Sequence, residues 1–142
     1  MLMGTYSHSL DVKGRMIVPS KLRDGLGEDF VITKSMDRCL ALYPKEAWES
    51  FTKKLDELPK ISSEPARQLR RFFFGNSQVC EQDKQGRILI PANLREYAGL
   101  EKDITLIGVD DHVEIWDEGA WTAYNEKLDA ADIVYDLNGI DL

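Results

Sequence analysis

The chain has 142 residues, which is the usual size of one domain and enough to bury a core without disulfides. Its apolar residues, 43% of the sequence, include no run near the roughly 18 that a membrane helix needs, and its first residues lack the pattern of a signal peptide, so we expect a cytoplasmic protein with no membrane partner. The net charge of −7 argues, at face value, against a nucleic-acid partner.

The first predicted element is a strand at 5–10, which leads into a turn that begins at Asp11. The strand alternates loosely between apolar and polar residues, and we interpret it as the partner strand of the hairpin whose tip is this turn. Asp is favoured at the first position of a β-turn and Gly at the fourth, which fits Asp11 and Gly14. His8 has no second ligand at metal spacing and receives no role.

The residues after this turn complete a small unit. Three consecutive apolar residues, 16–18, predict a short strand that is covered on both faces. Pro19 ends the strand pairing, and 20–25 predict a helical turn or two closed by Gly25. The unit is therefore a hairpin tip, a buried strand and a short helix.

The same unit begins again at Asp83, 72 residues later. Both copies read Asp, two residues, Gly-Arg, three apolar residues, Pro, two residues and Leu-Arg. In the second copy the buried strand is 88–90 and the short helix is 92–99. The two turns, 11–15 and 83–87, are named tip one and tip two from here on.

Each tip carries two cations, which are Lys13 and Arg15 in tip one and Lys84 and Arg87 in tip two. A buried strand does not need cations at its mouth, so these side chains contact either an anionic partner or water. A solvated turn is the ordinary interpretation of one such loop. Because the same turn occurs twice, we favour the anionic partner.

Between the two copies, the sequence predicts a second hairpin and an amphipathic helix. The strand-like runs 30–33 and 39–43 are separated by a turn-sized gap. The helix, 44–58, has Pro44 at its first helical position. Its apolar residues recur at spacings of three and four and are Trp48, Phe51, Leu55 and Leu58.

A linking helix is predicted at 62–75. Ser62 or Ser63 fits its cap, and Gly75 fits its end. Three adjacent phenylalanines, 72–74, serve either as core contacts between the halves or as a subunit interface. Three arginines of this helix bind phosphate or pair with an acidic neighbouring subunit, and both alternatives stay open; they are Arg67, Arg70 and Arg71.

The second half repeats the order of the first. Strands at 104–107 and 113–116 flank a turn, and Asp117 fits the cap of a helix. The apolar face of that helix is formed by Trp121, Tyr124, Leu128 and Ala131. The acidic tail, 129–142, either extends this helix or is loosely attached.

This order predicts an α+β fold that is mostly β with short helices. We expect a single domain at 1–128, made of repeat one at about 5–58, the linking helix, and repeat two at about 77–128. Each β-rich half is too small to bury both faces of its strands. The halves are therefore expected to interlock around a pseudo-twofold axis.

The charge is unevenly distributed along this chain. Residues 1–95 contain 16 Lys and Arg against 12 Asp and Glu, whereas residues 96–142 contain 2 against 13. A mildly basic region can bind a polyanion locally if the acidic end points away from it. Binding by one subunit is then expected to be weak and to depend strongly on salt.

Catalysis is not expected from this sequence. It shows no nucleophile–base pairing and no phosphate-cradling glycine loop, and His8 and His112 lack thiols or acids at ligand spacing. The two cysteines, Cys39 and Cys80, are interpreted as free thiols. We expect neither a metal nor a cofactor.

The two tip segments, the Arg-Phe-Phe-Phe stretch at 71–74 and the Ala-Trp pairs at 47–48 and 120–121 closely resemble the MraZ family of bacterial transcriptional regulators. The likeness runs from Met3 to about Leu128. It implies a pseudo-twofold swapped-hairpin barrel, as in the related AbrB superfamily. It also implies a ring-shaped homo-oligomer of about eight subunits in the nucleoid, which binds tandem repeats in the promoter of its own division and cell-wall operon.

Carried over by position, the resemblance assigns binding of double-stranded DNA to six tip residues: Lys13, Gly14, Arg15, Lys84, Gly86 and Arg87. Arginine clamps guanine through O6 and N7, whereas lysine is better suited to phosphate. We therefore expect Arg15 or Arg87 to read a base edge. The lysines, and Arg23 or Arg95, are expected to bind the phosphate backbone of the DNA. The alternative is an oligomeric protein-interaction scaffold without direct DNA binding.

Overall fold

The computed structural model describes residues 1–59 and 63–141 and has a mixed α+β fold. The strands are β1 (Leu2–Ser9), β2 (Arg15–Ile17), β3 (Val31–Lys34), β4 (Leu40–Tyr43), β5 (Gln78–Val79), β6 (Arg87–Leu89), β7 (Asp103–Asp110) and β8 (Val113–Asp117). The helices are α1 (Ser20–Leu26), α2 (Lys45–Asp56), α3 (Glu64–Phe74), α4 (Ala92–Ala98), α5 (Glu118–Glu126) and α6 (Ala130–Asp136). The predicted α+β class is confirmed, but the expectation of a mostly β fold is wrong, since more of the described residues lie in helices than in strands.

Most strands form one antiparallel sheet in the order β1-β7-β8-β4-β3-β5, while β2 and β6 pair separately as a two-stranded ribbon. The hairpins predicted around 30–43 and 104–116 are confirmed as β3–β4 and β7–β8. Within the described residues, β1 and β5 are open edges. The strands therefore do not close into the barrel that the resemblance implies.

The predicted pairing of the strand at 5–10 with tip one is wrong. β1 pairs instead with β7 of the second repeat over its whole length, from Leu2 opposite Asp110 to Ser9 opposite Asp103. In the same way β5 of the second repeat pairs with β3 of the first. The turn at tip one forms, but the chain then diverges from β1 because the backbone of β2 finds its hydrogen-bond partner in β6.

The ladders relate the two repeats by a pseudo-twofold axis. Met16 pairs with Ile88, its counterpart in the repeat, at the centre of the β2–β6 ribbon. Ala41 pairs with its counterpart Glu114 between β4 and β8. A pairing of equivalent residues in antiparallel strands requires a local twofold axis, as the repeated sequence predicts.

The β2–β6 ribbon covers the core with one face only. The expectation that the apolar residues 16–18 and 88–90 form strands covered on both faces is therefore wrong. Met16 and Ile88 are buried, whereas 48% of Ile17 and 55% of Leu89 is exposed. Alternation of side chains along a strand explains the difference, since a ribbon beside the core has one solvent face. Residues of both repeats join in one hydrophobic core.

Several helix ends differ from the sequence predictions. Helix α1 continues past Gly25 and ends at Gly27, while Pro44 is the cap of α2 rather than its first helical residue. Asp117 caps α5 through a hydrogen bond from the Ala120 N–H, as predicted. This helix ends at Glu126, however, and the tail forms the separate helix α6, whose residues are solvent-exposed or nearly so. Leu128 and Ala131 are therefore not part of an apolar face of α5.

In the linking helix, the Ser63 hydroxyl accepts a hydrogen bond from the Ala66 N–H, and Gly75 ends the helix. Ser62, the other predicted cap, lies outside the described residues. Phe73 packs edge-on against Phe51 of repeat one, and Phe72 packs against Tyr97 of repeat two. These contacts favour the interpretation of the phenylalanines as core contacts between the halves. No helix in the described part of the chain is long and apolar enough to cross a membrane.

Candidate nucleic-acid interface

The turn of tip one is built around the carboxylate of Asp11. The Gly14 N–H donates to the Asp11 carbonyl at 3.0 Å, and the Asp11 N–H donates to the Arg15 carbonyl at 2.9 Å. Oδ1 of Asp11 accepts the backbone N–H groups of Lys13 and Arg15, both at 2.9 Å. One side chain therefore closes the turn, which is the physical reason for Asp at this position.

Tip two repeats this geometry at every one of these contacts. Gly86 N–H donates to the Asp83 carbonyl at 3.0 Å, and Asp83 N–H donates to the Arg87 carbonyl at 2.9 Å. Oδ1 of Asp83 accepts the N–H groups of Gln85 and Arg87, both at 2.9 Å. The repeated sequence thus encodes the same loop twice.

Both tips need glycine at their fourth position. Gly14 has a φ of 82° and Gly86 a φ of 76°, in the left-handed region that other residues enter at a cost. A Cβ on Gly14 would also lie 1.5 Å from Nη1 of Arg95, and one on Gly86 would lie 2.7 Å from Nη2 of Arg23. The glycines therefore permit both the turn and the close approach of an arginine from the opposite repeat.

The second carboxylate oxygen of each tip holds an arginine. Nε of Arg15 donates to Oδ2 of Asp11 at 2.7 Å, and Nε of Arg87 donates to Oδ2 of Asp83 at 2.7 Å. The side chains remain partly open to solvent, with 31% of Arg15 and 26% of Arg87 exposed. The carboxylates thus fix the side of each guanidinium group and leave part of it accessible.

The carboxylates are strongly acidic in these positions. The pKa of Asp11 is lowered to about 2, chiefly by the backbone N–H of Arg15 and further by its guanidinium group and the Lys13 N–H, against a smaller opposing effect of desolvation. The pKa of Asp83 is lowered by the same kind of contacts, with the backbone N–H of Arg87 first. Both carboxylates are therefore ionised at neutral pH and hold their arginines in place.

The two tips lie side by side. The Val18 N–H donates to the Gly86 carbonyl at 3.1 Å, and the Ile90 N–H donates to the Gly14 carbonyl at 3.0 Å. Nη1 of Arg87 lies 3.9 Å from Oδ2 of Asp11, which links one tip directly to the other. Residues that are 72 positions apart thus form one surface.

The structure brings all six predicted tip residues together on this surface. Lys13 and Lys84 are exposed, Arg15 and Arg87 are half-buried, and the two glycines are buried beneath their turns. The sequence did not predict that Arg23 covers the glycine of tip two or that Arg95 covers the glycine of tip one. Arg23 and Arg95 occupy the same position in the Leu-Arg pair of each copy, and this was the sequence signal that they belong to the repeated unit.

Arg23 is half-buried, like the tip arginines, and part of its guanidinium group is directed into the protein. Its Nη2 donates to the Val18 carbonyl at 3.0 Å, and its Nε is buried without a hydrogen-bond partner among the described residues. Of the linking-helix arginines, Arg70 pairs with Asp56 of α2 at 3.0 Å, within the same chain, and stacks on Phe74. The Arg70 side chain is thus paired within its own chain, rather than with phosphate or with an acidic neighbouring subunit, the two alternatives that the sequence left open.

Among the residues that the structure describes, His112 and the two cysteines do not join the tips. His112 stacks on Tyr43 and lies 2.7 Å from Asp111 and 3.6 Å from Glu114, in the turn between β7 and β8 rather than in the tips. Cys39 and Cys80 are buried free thiols, and burial raises the pKa of each to about 12, so neither is a thiolate at neutral pH. In the part of the chain that the structure describes, no cluster of three or more His, Cys, Asp or Glu residues is arranged to hold a metal ion.

Comparison with known proteins gives a consistent result. The family model described as "MraZ protein, putative antitoxin-like" matches residues 1–71 and again 73–135. The transcriptional regulator MraZ of Heliobacterium modesticaldum is 53% identical over 127 residues, which cover 89% of this chain and 88% of the relative. Those of Acetivibrio thermocellus and Lachnoclostridium phytofermentans are each 51% identical, over 94% and 93% of this chain and 94% of each relative.

Each family match contains one of the two repeats and extends beyond it, and the similarity to these relatives covers nearly all of each chain. The second match reaches residue 135, so the expectation that the likeness ends at about Leu128 is wrong. At about 50% identity over this length, a shared family follows. The chain belongs to the MraZ family.

Proposed function

We propose that this protein is a sequence-specific DNA-binding transcription regulator, and that tips one and two are the surface that contacts duplex DNA. The observation that carries this proposal is the side-by-side placement of two turns with the same backbone hydrogen bonds, each with a carboxylate-held arginine and an exposed lysine. The relatives described above are named transcriptional regulators, which supports the same function. Their names describe regulators rather than enzymes.

The roles within the tips follow from the chemistry of each group. A carboxylate that binds Nε orients the guanidinium group and does not use the terminal nitrogens, which can donate to O6 and N7 of guanine; in Arg87, one of them also donates to Gln85. Lys13 and Lys84 lie exposed beside these arginines and suit phosphate oxygens. Gly14 and Gly86 contribute by shaping the turns. Had the guanidinium groups been fully buried in their carboxylate pairs, they would have been poor candidates for base contacts.

Assembly strengthens this binding. A pair of tips contacts few phosphates, and the net charge of −7 opposes DNA, so one subunit is expected to bind weakly. Following the resemblance, we propose a ring of about eight subunits that engages tandem repeats in the promoter of its own division and cell-wall operon. Linked binding units raise affinity by about 100- to 10,000-fold when the geometry matches. Such a protein would lie in the cytoplasm, at the nucleoid.

The fold supports two further parts of the proposal. The first strand of each repeat pairs with a strand of the other repeat, since β1 pairs with β7 and β5 with β3, and this exchange supports the proposed swapped-hairpin arrangement. The shared core supports one domain of two repeats over 1–128, with 129–142 as an appended acidic tail. The β2–β6 ribbon joins the two tips, which supports the proposal that they act as one DNA-binding surface.

A binding titration tests the proposal. The duplex is a labelled fragment from upstream of the protein's own gene, and binding is followed by fluorescence anisotropy for wild type and for Arg15→Ala, Arg87→Ala and the double variant. We expect the double variant to lose specific binding while its circular dichroism and thermal unfolding remain those of a folded protein. Lys53→Ala, which removes an exposed cation of α2, is the matched control and should bind as wild type. Unchanged binding by the double variant would contradict the proposal.

The second candidate is an oligomeric protein-interaction scaffold without direct DNA binding. The observation in its favour is that both tip arginines already have carboxylate partners in the same chain. Salt separates the two functions. Between about 50 and 200 mM salt, DNA affinity falls steeply because counterions are released on binding, whereas a hydrophobic protein contact changes little.

A further inference from the structure

The solvent face of the β2–β6 ribbon carries an unusual combination of side chains. Arg15 and Ile17 of β2 and Arg87 and Leu89 of β6 share this face, because the intervening Met16 and Ile88 point into the core. The aliphatic side chains are large and about half exposed, at 48% and 55%. Both lie two residues beyond a tip arginine.

The strand register fixes how these four residues are arranged. Arg15 is directly opposite Leu89, and Ile17 is directly opposite Arg87. Directly opposite residues have Cβ atoms about 5 Å apart, and residues two apart in a strand are separated by about 7 Å. The face is therefore a small rectangle in which each aliphatic side chain has an arginine as its neighbour both across and along the ribbon.

This arrangement matches a particular pattern in DNA. The major groove admits a two-stranded β-ribbon, and the only apolar group that base edges present there is the 5-methyl group of thymine. Guanidinium groups beside an aliphatic side chain direct this face to DNA rather than to an apolar protein surface, because the Asp11 contact of Arg15 uses Nε and an apolar partner would leave its terminal nitrogens without acceptors.

We propose that Ile17 and Leu89 are specificity-determining residues that contact the 5-methyl groups of thymines next to the guanines read by Arg87 and Arg15. This inference rests on the proposed DNA-binding function and extends it to the identity of a second base. Since base pairs stack about 3.4 Å apart, a separation of 5 to 7 Å places each thymine within about two base pairs of a guanine. The preferred site therefore combines guanine and thymine at that spacing.

A thymine-to-uracil scan tests the contact, because uracil lacks only the methyl group and keeps every hydrogen-bonding group of thymine. The duplex is first obtained by selecting DNA from a random pool with the wild-type protein, so that the site need not be known. Each thymine is then replaced singly by deoxyuridine, and affinity is measured for wild type, Ile17→Ala, Leu89→Ala and Val109→Ala. Val109 is an exposed aliphatic residue opposite Met3, at the end of β1 away from tip one, and serves as the control.

For wild type and Val109→Ala, we expect uracil at one or two positions within two base pairs of a guanine to lower affinity about fourfold for each methyl group, the value for burying one such group. For Ile17→Ala or Leu89→Ala, uracil at the corresponding position should have no further effect.

Three results would overturn the inference. One is wild-type affinity that is unchanged by every uracil, and another is an Ile17→Ala or Leu89→Ala loss that is the same with thymine and uracil, which would indicate a structural or subunit-contact role. The third is a selected site with no thymine at the expected spacing. Failure to select any DNA would instead overturn the proposed DNA-binding function itself, and this inference with it.

Discussion

Tips one and two have the same backbone but hold their arginines differently. In both, an aspartate closes the turn and binds Nε of the arginine at 2.7 Å. In tip two, Nη2 of Arg87 also donates to Oε1 of Gln85 at 2.8 Å, and Nη1 lies 3.9 Å from a carboxylate oxygen of Asp11. Among the described residues, Arg15 forms a side-chain hydrogen bond with Asp11 alone.

The cavities near the two tips also differ in charge, and this difference again favours tip one for contact with DNA. A cavity of about 660 Å³ beside tip one has two cations, Arg95 and Lys102, and two carboxylates, Asp11 and Glu101, in its lining, so its charges balance. The segment that leads into tip two borders a smaller cavity of about 310 Å³, which is lined by three carboxylates: Glu28, Asp29 and Glu81. Negative charge at that position disfavours an approaching phosphate.

The comparison teaches that one repeated loop can supply two kinds of binding group. The terminal nitrogens of Arg15 are the more available for a base edge, while Arg87 is held from three sides and keeps fewer free donors for the guanine that it contacts. The lysines differ as well, since Lys84 occupies the position of Val12 in tip one, and Gln85 the position of Lys13. We therefore expect tip one to dominate recognition.

The largest expected effect is a difference between the two arginine variants. Arg15→Ala should weaken specific DNA binding by about 1–3 kcal/mol for each base contact that it removes, compounded over the subunits engaged. Arg87→Ala should lose less, because fewer of its hydrogen-bond donors are available to DNA. Anisotropy titrations with the selected duplex measure both. An Arg87→Ala loss equal to or greater than that of Arg15→Ala would break the asymmetry.

Glycine substitution tests the turns themselves. Gly14→Ala and Gly86→Ala should each lower the free energy of unfolding by about 1–2 kcal/mol, because both force a side chain into the left-handed region. The loss should be larger at Gly14, where the new Cβ displaces the Arg95 guanidinium. Urea denaturation measures these values. Gly119→Ala, in α5 and without positive φ, is the control, and tip variants no less stable than this control would contradict the turn geometry.

Adding a cation to tip one should have a smaller effect on DNA binding. Val12 is fully exposed, so Val12→Lys adds a cation to tip one without a folding cost. We expect the slope of log affinity against log salt to steepen by about 0.9 for each added phosphate contact. Ile133→Lys, which adds the same charge to exposed α6, is the control. Equal slopes for the two variants would show that tip one is not beside the phosphates.

The smallest expected effect is a change in how the free energy of unfolding depends on pH in acid. Because the pKa of Asp11 is about 2 in the folded protein and ordinarily 3.8, its contribution to stability is present above about pH 4 and is lost as the pH falls towards 2. The pKa of Asp83 is also lowered, so the same sign applies. Asp11→Asn and Asp83→Asn should therefore flatten the decline in unfolding free energy between pH 4 and 2. A decline identical to that of wild type would contradict the assigned contacts.

The turns were predictable from sequence because their determinants are local. Asp at the first position, Gly at the fourth and a cation beside it lie within five residues, and the repetition pointed to a pseudo-twofold axis. The same locality explains why hairpins β3–β4 and β7–β8 were correctly predicted. Short-range pattern suffices where the partner strand follows directly in the chain.

The exchange of strands between repeats was not predictable in this way. The pairing of β1 with β7 joins residues about a hundred positions apart, and an alternating strand fits either neighbour equally well. The exposure of Ile17 and Leu89 was missed for a related reason, since three consecutive apolar residues look the same whether one face or two are covered. The cover of each tip glycine by the opposite repeat's arginine follows from the same exchange.

The most direct test of the central claim, that the paired tips contact DNA, is site-specific photo-cross-linking from Val12 at the apex of tip one. A benzophenone amino acid placed there should cross-link to the selected duplex on irradiation, and excess unlabelled duplex should abolish the cross-link. The same group at Val109, at the other end of the sheet, should give none. Cross-linking from Val109 but not from Val12 would contradict the account.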